Sequence, residues 1–72
     1  MRDTGAVTGT ILAVRDCGSL VILFIDTEDG RTIPIPMGRR PFRWLLERQG
    51  CRSDQLVGRR VCCERDSIRF LD

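Results

Sequence analysis

Two prolines, Pro34 and Pro36, constrain this chain more than any other pair of residues. They sit in residues 31–37, RTIPIPM, where Ile33, Ile35 and Met37 alternate with Thr32, Pro34 and Pro36. Period-two alternation marks a strand with one buried face. In an antiparallel strand, residues i and i+2 direct their N–H groups to the same neighbour. Proline has no N–H, so Pro34 and Pro36 strip donors from one side of the strand only. Ile33 and Ile35 keep their donors on the other side. The strand therefore lies at a sheet edge, or beside a gap in a barrel, with its proline side unpaired.

The preceding run, LVILFI at residues 20–25, has six consecutive apolar residues. That pattern predicts a strand covered on both faces, most simply a central one. Asp29-Gly30 between the two runs is a hairpin signal. Upstream, residues 6–14, AVTGTILAV, are rich in β-branched residues and read as a first strand. Gly9 in its middle predicts a bend or bulge. RDCGS at 15–19 reads as a turn around Gly18.

Downstream, GRRPFRWLLERQG at 38–50 predicts a helix over about 41–49. Pro41 suits the first helical turn and Gly50 the left-handed closing position. Phe42, Leu45 and Leu46 form its apolar stripe. Residues 51–58 form a connector in which Leu56 plugs one end of the core. The last hairpin joins RRVCCE to SIRFLD through Arg65-Asp66. A two-residue loop there pairs Cys63 with Ile68 and Val61 with Phe70, putting all four on the core face. Arg60, Cys62, Arg69 and Leu71 fall on the opposite face, where Leu71 needs cover from the helix or another subunit.

The order is strand, strand, strand, helix, strand, strand, in one domain spanning 1–72. Five short strands in 72 residues predict a small, mainly β, partly open barrel. That element order resembles the OB-fold, a five-stranded Greek-key barrel with its helix between the third and fourth strands. The resemblance covers the whole chain and is one of topology. It implies an opening between the third and fifth strands, which suits a proline-marked third strand. It also implies binding of single-stranded nucleic acid, oligosaccharide or protein. An SH3-like barrel is the alternative fold.

No apolar run approaches the length of roughly 20 residues that a helical membrane span needs. The N-terminus lacks the features of a signal peptide. A soluble cytoplasmic protein, read as a complete short open reading frame, is the expectation. All 12 basic residues are arginine, which fits either a GC-rich coding sequence or a demand for planar, bidentate and stacking contacts. The net charge of +2 hides a segregation. Residues 1–30 carry two Arg against five acids, −3, whereas residues 31–70 carry ten Arg against four acids, +6. A basic second half points to an anionic partner.

Catalytic chemistry has little to stand on. The chain has no His, Lys or Tyr. Ser19, Ser53 and Ser67 have no identifiable base. Asp16, Asp26, Glu28 and Asp29 fall mostly in turns, where carboxylates form turns and solubilise. Cys17, Cys51, Cys62 and Cys63 show no metal-ligand spacing. They read as reduced thiols or small apolar fillers rather than as nucleophiles or disulfides. No enzyme activity, cofactor, metal or small-molecule substrate is expected.

Binding is the better reading. Trp44, the single tryptophan, lies roughly 150° from the centre of the helix's apolar stripe. Arg40, Arg43 and Arg48 flank it as the proposed contacts, supported by Arg39 and Arg52 on or near the helix and by Arg59 and Arg60, which open the fourth strand. A charged track with an aromatic platform is what single-stranded DNA or RNA requires. Trp and Arg are also the residues most enriched at protein interfaces, so a protein partner or a homo-oligomer is the alternative. A third reading packs Trp44 on its own chain, over the connector or over Leu71.

Overall fold

The computed structural model describes residues 6–64 and 67–71. Its elements are β1 (Val7–Asp16), β2 (Leu20–Thr27), β3 (Thr32–Gly38), α1 (Arg39–Gln49), β4 (Arg60–Glu64) and β5 (Ser67–Phe70). A 3-10 turn at Ser53–Gln55 interrupts the connector before β4. The fold is mainly β: one antiparallel sheet of order β3-β2-β1-β4-β5 with a single helix. The edges are β3 and β5, and among the described residues no strand ladder joins them, so pairing there does not close the sheet into a barrel.

The proline strand lies at an edge, as its missing donors require. It pairs with β2 alone, in the register Ile22↔Pro36, Leu23↔Ile35, Phe24↔Pro34 and Ile25↔Ile33. The β2–β3 hairpin forms at Asp29-Gly30 through a turn in which the Gly30 N–H donates to the Thr27 carbonyl at 3.1 Å. Gly30 takes φ 92° there, a left-handed conformation that glycine adopts without strain. The Thr27 hydroxyl, buried at this corner, donates to Asp29 and accepts the Arg31 N–H at 3.0 Å.

The core is built by Ile11, Val21, Leu23, Ile25, Phe42, Leu56, Val61 and Cys63. Phe42 is the one buried helix residue, and Leu45 and Leu46 pack beside it half-buried. Leu56 plugs the core as its place in the connector predicts. The final hairpin takes the expected register, Val61↔Phe70 and Cys63↔Ile68. Its expected loop, Arg65-Asp66, lies outside the described residues. Arg59 lays its guanidinium 4.8 Å from the Phe70 ring centroid.

Four features differ from the sequence pattern. The helix starts at Arg39 rather than near 41, with Gly38 as its N-cap and Pro41 still in the first turn, where an N–H has no partner anyway. The irregularity of β1 falls between Ile11 and Ala13, extruding Leu12, and not at Gly9. Gly9 has another duty. It pairs with Thr27 on one side and Val61 on the other, and an added Cβ would lie 2.6 Å from the Asp26 carbonyl oxygen. The LVILFI strand is covered on one face only. Val21, Leu23 and Ile25 are buried, but Leu20 is 43% exposed and Ile22 and Phe24 are half-buried on the outer side. The helix covers the inner face alone. Leu71, lastly, is not buried by the described residues of the chain and stays 47% exposed.

Candidate functional site

Helix α1 is closed by Gly50 in a left-handed conformation, φ 64°. The Gly50 N–H donates to the Glu47 carbonyl and the Cys51 N–H to the Leu46 carbonyl, each at 3.2 Å. This is the Schellman pattern that sets the length and direction of the helix. With Phe42 buried and Leu45 and Leu46 turned to the sheet, the opposite face carries Arg40, Arg43, Trp44, Glu47 and Arg48. Trp44 is 67% exposed. It is absent from the core cluster, so the reading that it is a piece of hidden core does not hold.

The eight residues singled out from the sequence divide into two groups. Arg40, Arg43, Trp44 and Arg48 come together on the exposed helix face. Among the described residues, none of these three arginines is paired with an acid. The other four are engaged elsewhere. Arg39 binds the Asp16 carboxylate, at 2.6 Å to Oδ2, and also donates to the Gly18 carbonyl. Arg52 sits 3.6 Å from Asp54, Arg59 donates to Gln49 at 3.1 Å, and Arg60 donates to Glu28 at 2.9 Å. Asp16 thus tethers the β1–β2 turn to the start of the helix. The Gly18 N–H, followed by Arg39, holds its carboxyl below the usual range.

The exposed helix face is positively charged, and so is the start of the helix. The first helical turn contains Arg39 and Arg40 and no acid, and Gly38 offers no capping side chain. Cations there oppose the helix dipole, which is a cost to stability. Asp16 offsets the charge of Arg39 but not that of Arg40. A shallow concavity beside this end is lined by Asp16 together with Arg39, Arg40, Arg43, Leu46 and Ser53. Glu47, within the same face, leaves its charge at +2.

A second concavity lies between the two sheet edges. It is a cleft of about 360 Å³ bounded by Ile35, Met37 and Pro41 on one side and Cys63, Ser67 and Ile68 on the other. Burial, followed by the neighbouring Cys62, raises the Cys63 thiol above its usual range. That works against thiolate chemistry. Among the described residues, no three or more His, Cys, Asp or Glu side chains gather as metal ligands. No helix there is long and apolar enough to cross a membrane. The sequence matches no known family, no curated protein and no solved structure.

Proposed function

We propose that this chain is a non-enzymatic binding module for single-stranded nucleic acid, with Trp44 as stacking platform and Arg40, Arg43 and Arg48 as phosphate contacts. The observation that carries the reading is one helix face presenting a 67% exposed indole among three arginines unpaired within the described residues. An aromatic plane accepts any base, and guanidinium groups at helical spacing follow the phosphates. Arg39, Arg52, Arg59 and Arg60 have local partners and contribute long-range field rather than direct contacts. In this reading the sheet is an opened OB-like barrel. The strand order supports it over the SH3-like alternative, because the edges β3 and β5 flank the opening that an OB-like barrel leaves.

Trp44 is the only tryptophan, so intrinsic fluorescence reports on the site directly. Titration with a labelled single strand should quench it. The slope of log affinity against log salt should be about −2, three phosphate contacts at roughly 0.7 each. Trp44→Ala should weaken binding about 5- to 150-fold, the span of one stacked base at about 1–3 kcal/mol. Absence of salt-sensitive binding at low ionic strength, or binding that ignores Trp44→Ala, would overturn the proposal.

A further inference from the structure

We propose that the outer face of β1–β2–β3 is the two-fold interface of a homodimer, closed at its ends by Arg15–Asp26 pairs between copies. The ladder register stacks this face in three rows: Arg15, Ile22 and Pro36; Ala13, Phe24 and Pro34; Thr10, Asp26 and Thr32. The centre is apolar and the charges stand at opposite ends. The bulge adds Leu12, 53% exposed, which lines an outer concavity with Ala13, Arg15, Phe24 and Thr32. A strand apolar on both faces is normally covered on both. Here α1 covers the inner face and nothing among the described residues covers the outer one.

The charge pattern selects the occupant. Arg15 and Asp26 are both exposed, and neither makes a side-chain ion pair or hydrogen bond among the described residues. Their rows are roughly 13 Å apart along the strands, four residues at about 3.3 Å each. The Phe24 row lies midway. A two-fold axis through that row, running across the strands, sets Phe24 against its own copy. The same rotation brings each Arg15 over the Asp26 of the other copy, offset by about one strand spacing of 4.8 Å. Sheets packed face to face lie about 10 Å apart, within reach of the two side chains. The face is therefore self-complementary: a second copy satisfies both charges and covers the apolar centre at once. It lies on the side of the sheet away from Trp44, so this inference and the nucleic-acid reading stand or fall separately.

Sedimentation equilibrium over a micromolar to near-millimolar range tests it. Wild type should form dimers. Phe24→Glu should weaken association about thirtyfold or more, as for a central contact residue. Arg15→Asp and Asp26→Arg should each weaken it about tenfold, by placing like charges together. The double variant, Arg15→Asp with Asp26→Arg, should restore it. Circular dichroism checks that each variant is folded, and the two charge sites are exposed enough to leave the fold intact. Trp44→Ala should dimerise like wild type. A monomeric wild type would mean that another partner, or none, covers this face, and would overturn the proposal. A double variant no better than the single ones, or a dimer insensitive to Phe24→Glu, would overturn it equally.

Discussion

Replacing Gly9 by alanine is the sharpest test of how β1 sits between its two neighbours. Gly9 is buried and paired on both sides, and its role is a matter of space, since its φ is not positive. An added Cβ meets the Asp26 carbonyl oxygen at 2.6 Å and Ile25 Cγ2 at 2.8 Å. One of those contacts is backbone, so relief requires β1 and β2 to separate by several tenths of an ångström. Overpacking of this kind costs about 1–3 kcal/mol. The loss of glycine's freedom in the unfolded chain returns about 0.4–1 kcal/mol. The net is a loss of about 1–2 kcal/mol, from a total of about 4–11 kcal/mol for a domain of this length. Thermal unfolding followed by circular dichroism should show Tm falling by about 4–16 °C. Trp44 fluorescence is a poor monitor, because the indole is already in water. Enlarging further to Gly9→Leu should deepen the loss. At Gly30 the penalty is conformational: φ is 92° and no atom lies within 4 Å of an added Cβ. There Leu should cost little more than Ala. An unchanged Tm in Gly9→Ala would refute the close approach of β1 and β2.

Asp16 makes stability depend on acid in a defined direction. Its folded-state pKa is lowered, chiefly by the Gly18 N–H and next by Arg39, so its contribution is full at neutral pH and lost as pH falls through the folded value. Asp16→Asn should be less stable than wild type at pH 7, and the gap in Tm should shrink below about pH 4. A gap that is constant with pH would count against the tether. Cysteine accessibility provides a further check. Cys17 is exposed, Cys51 half-buried, and Cys62 and Cys63 buried. Alkylation of the native protein, followed by intact mass, should modify Cys17 first and Cys63 only on unfolding, and simultaneous labelling would contradict the packing of β4.

Much of the fold is legible in the chain because the relevant physics is local. The missing donors of Pro34 and Pro36 place β3 at an edge whatever surrounds it. The spacing of Phe42, Leu45 and Leu46 selects the buried side of the helix, and Gly50 ends it. A two-residue loop dictates which residues of the last hairpin face each other. In the same way, the identity of the exposed helix face follows from 3.6 residues per turn, and Arg40, Arg43, Trp44 and Arg48 are readable as a group.

What tertiary structure alone decides is where distant groups meet. Whether Trp44 is covered depends on where the connector and Leu71 are placed, and the folded chain leaves the indole 67% exposed. Which arginines are already occupied depends on acids far along the chain, as Asp16 holds Arg39 from 23 residues away and Glu28 holds Arg60 from 32. Gly9 reads in sequence as a bend, whereas the packed sheet makes it the point where two ladders and a carbonyl leave no room for a side chain. The run LVILFI announces burial on both faces. A single helix has one surface to give, so only the assembled sheet reveals that its outer half stays partly exposed.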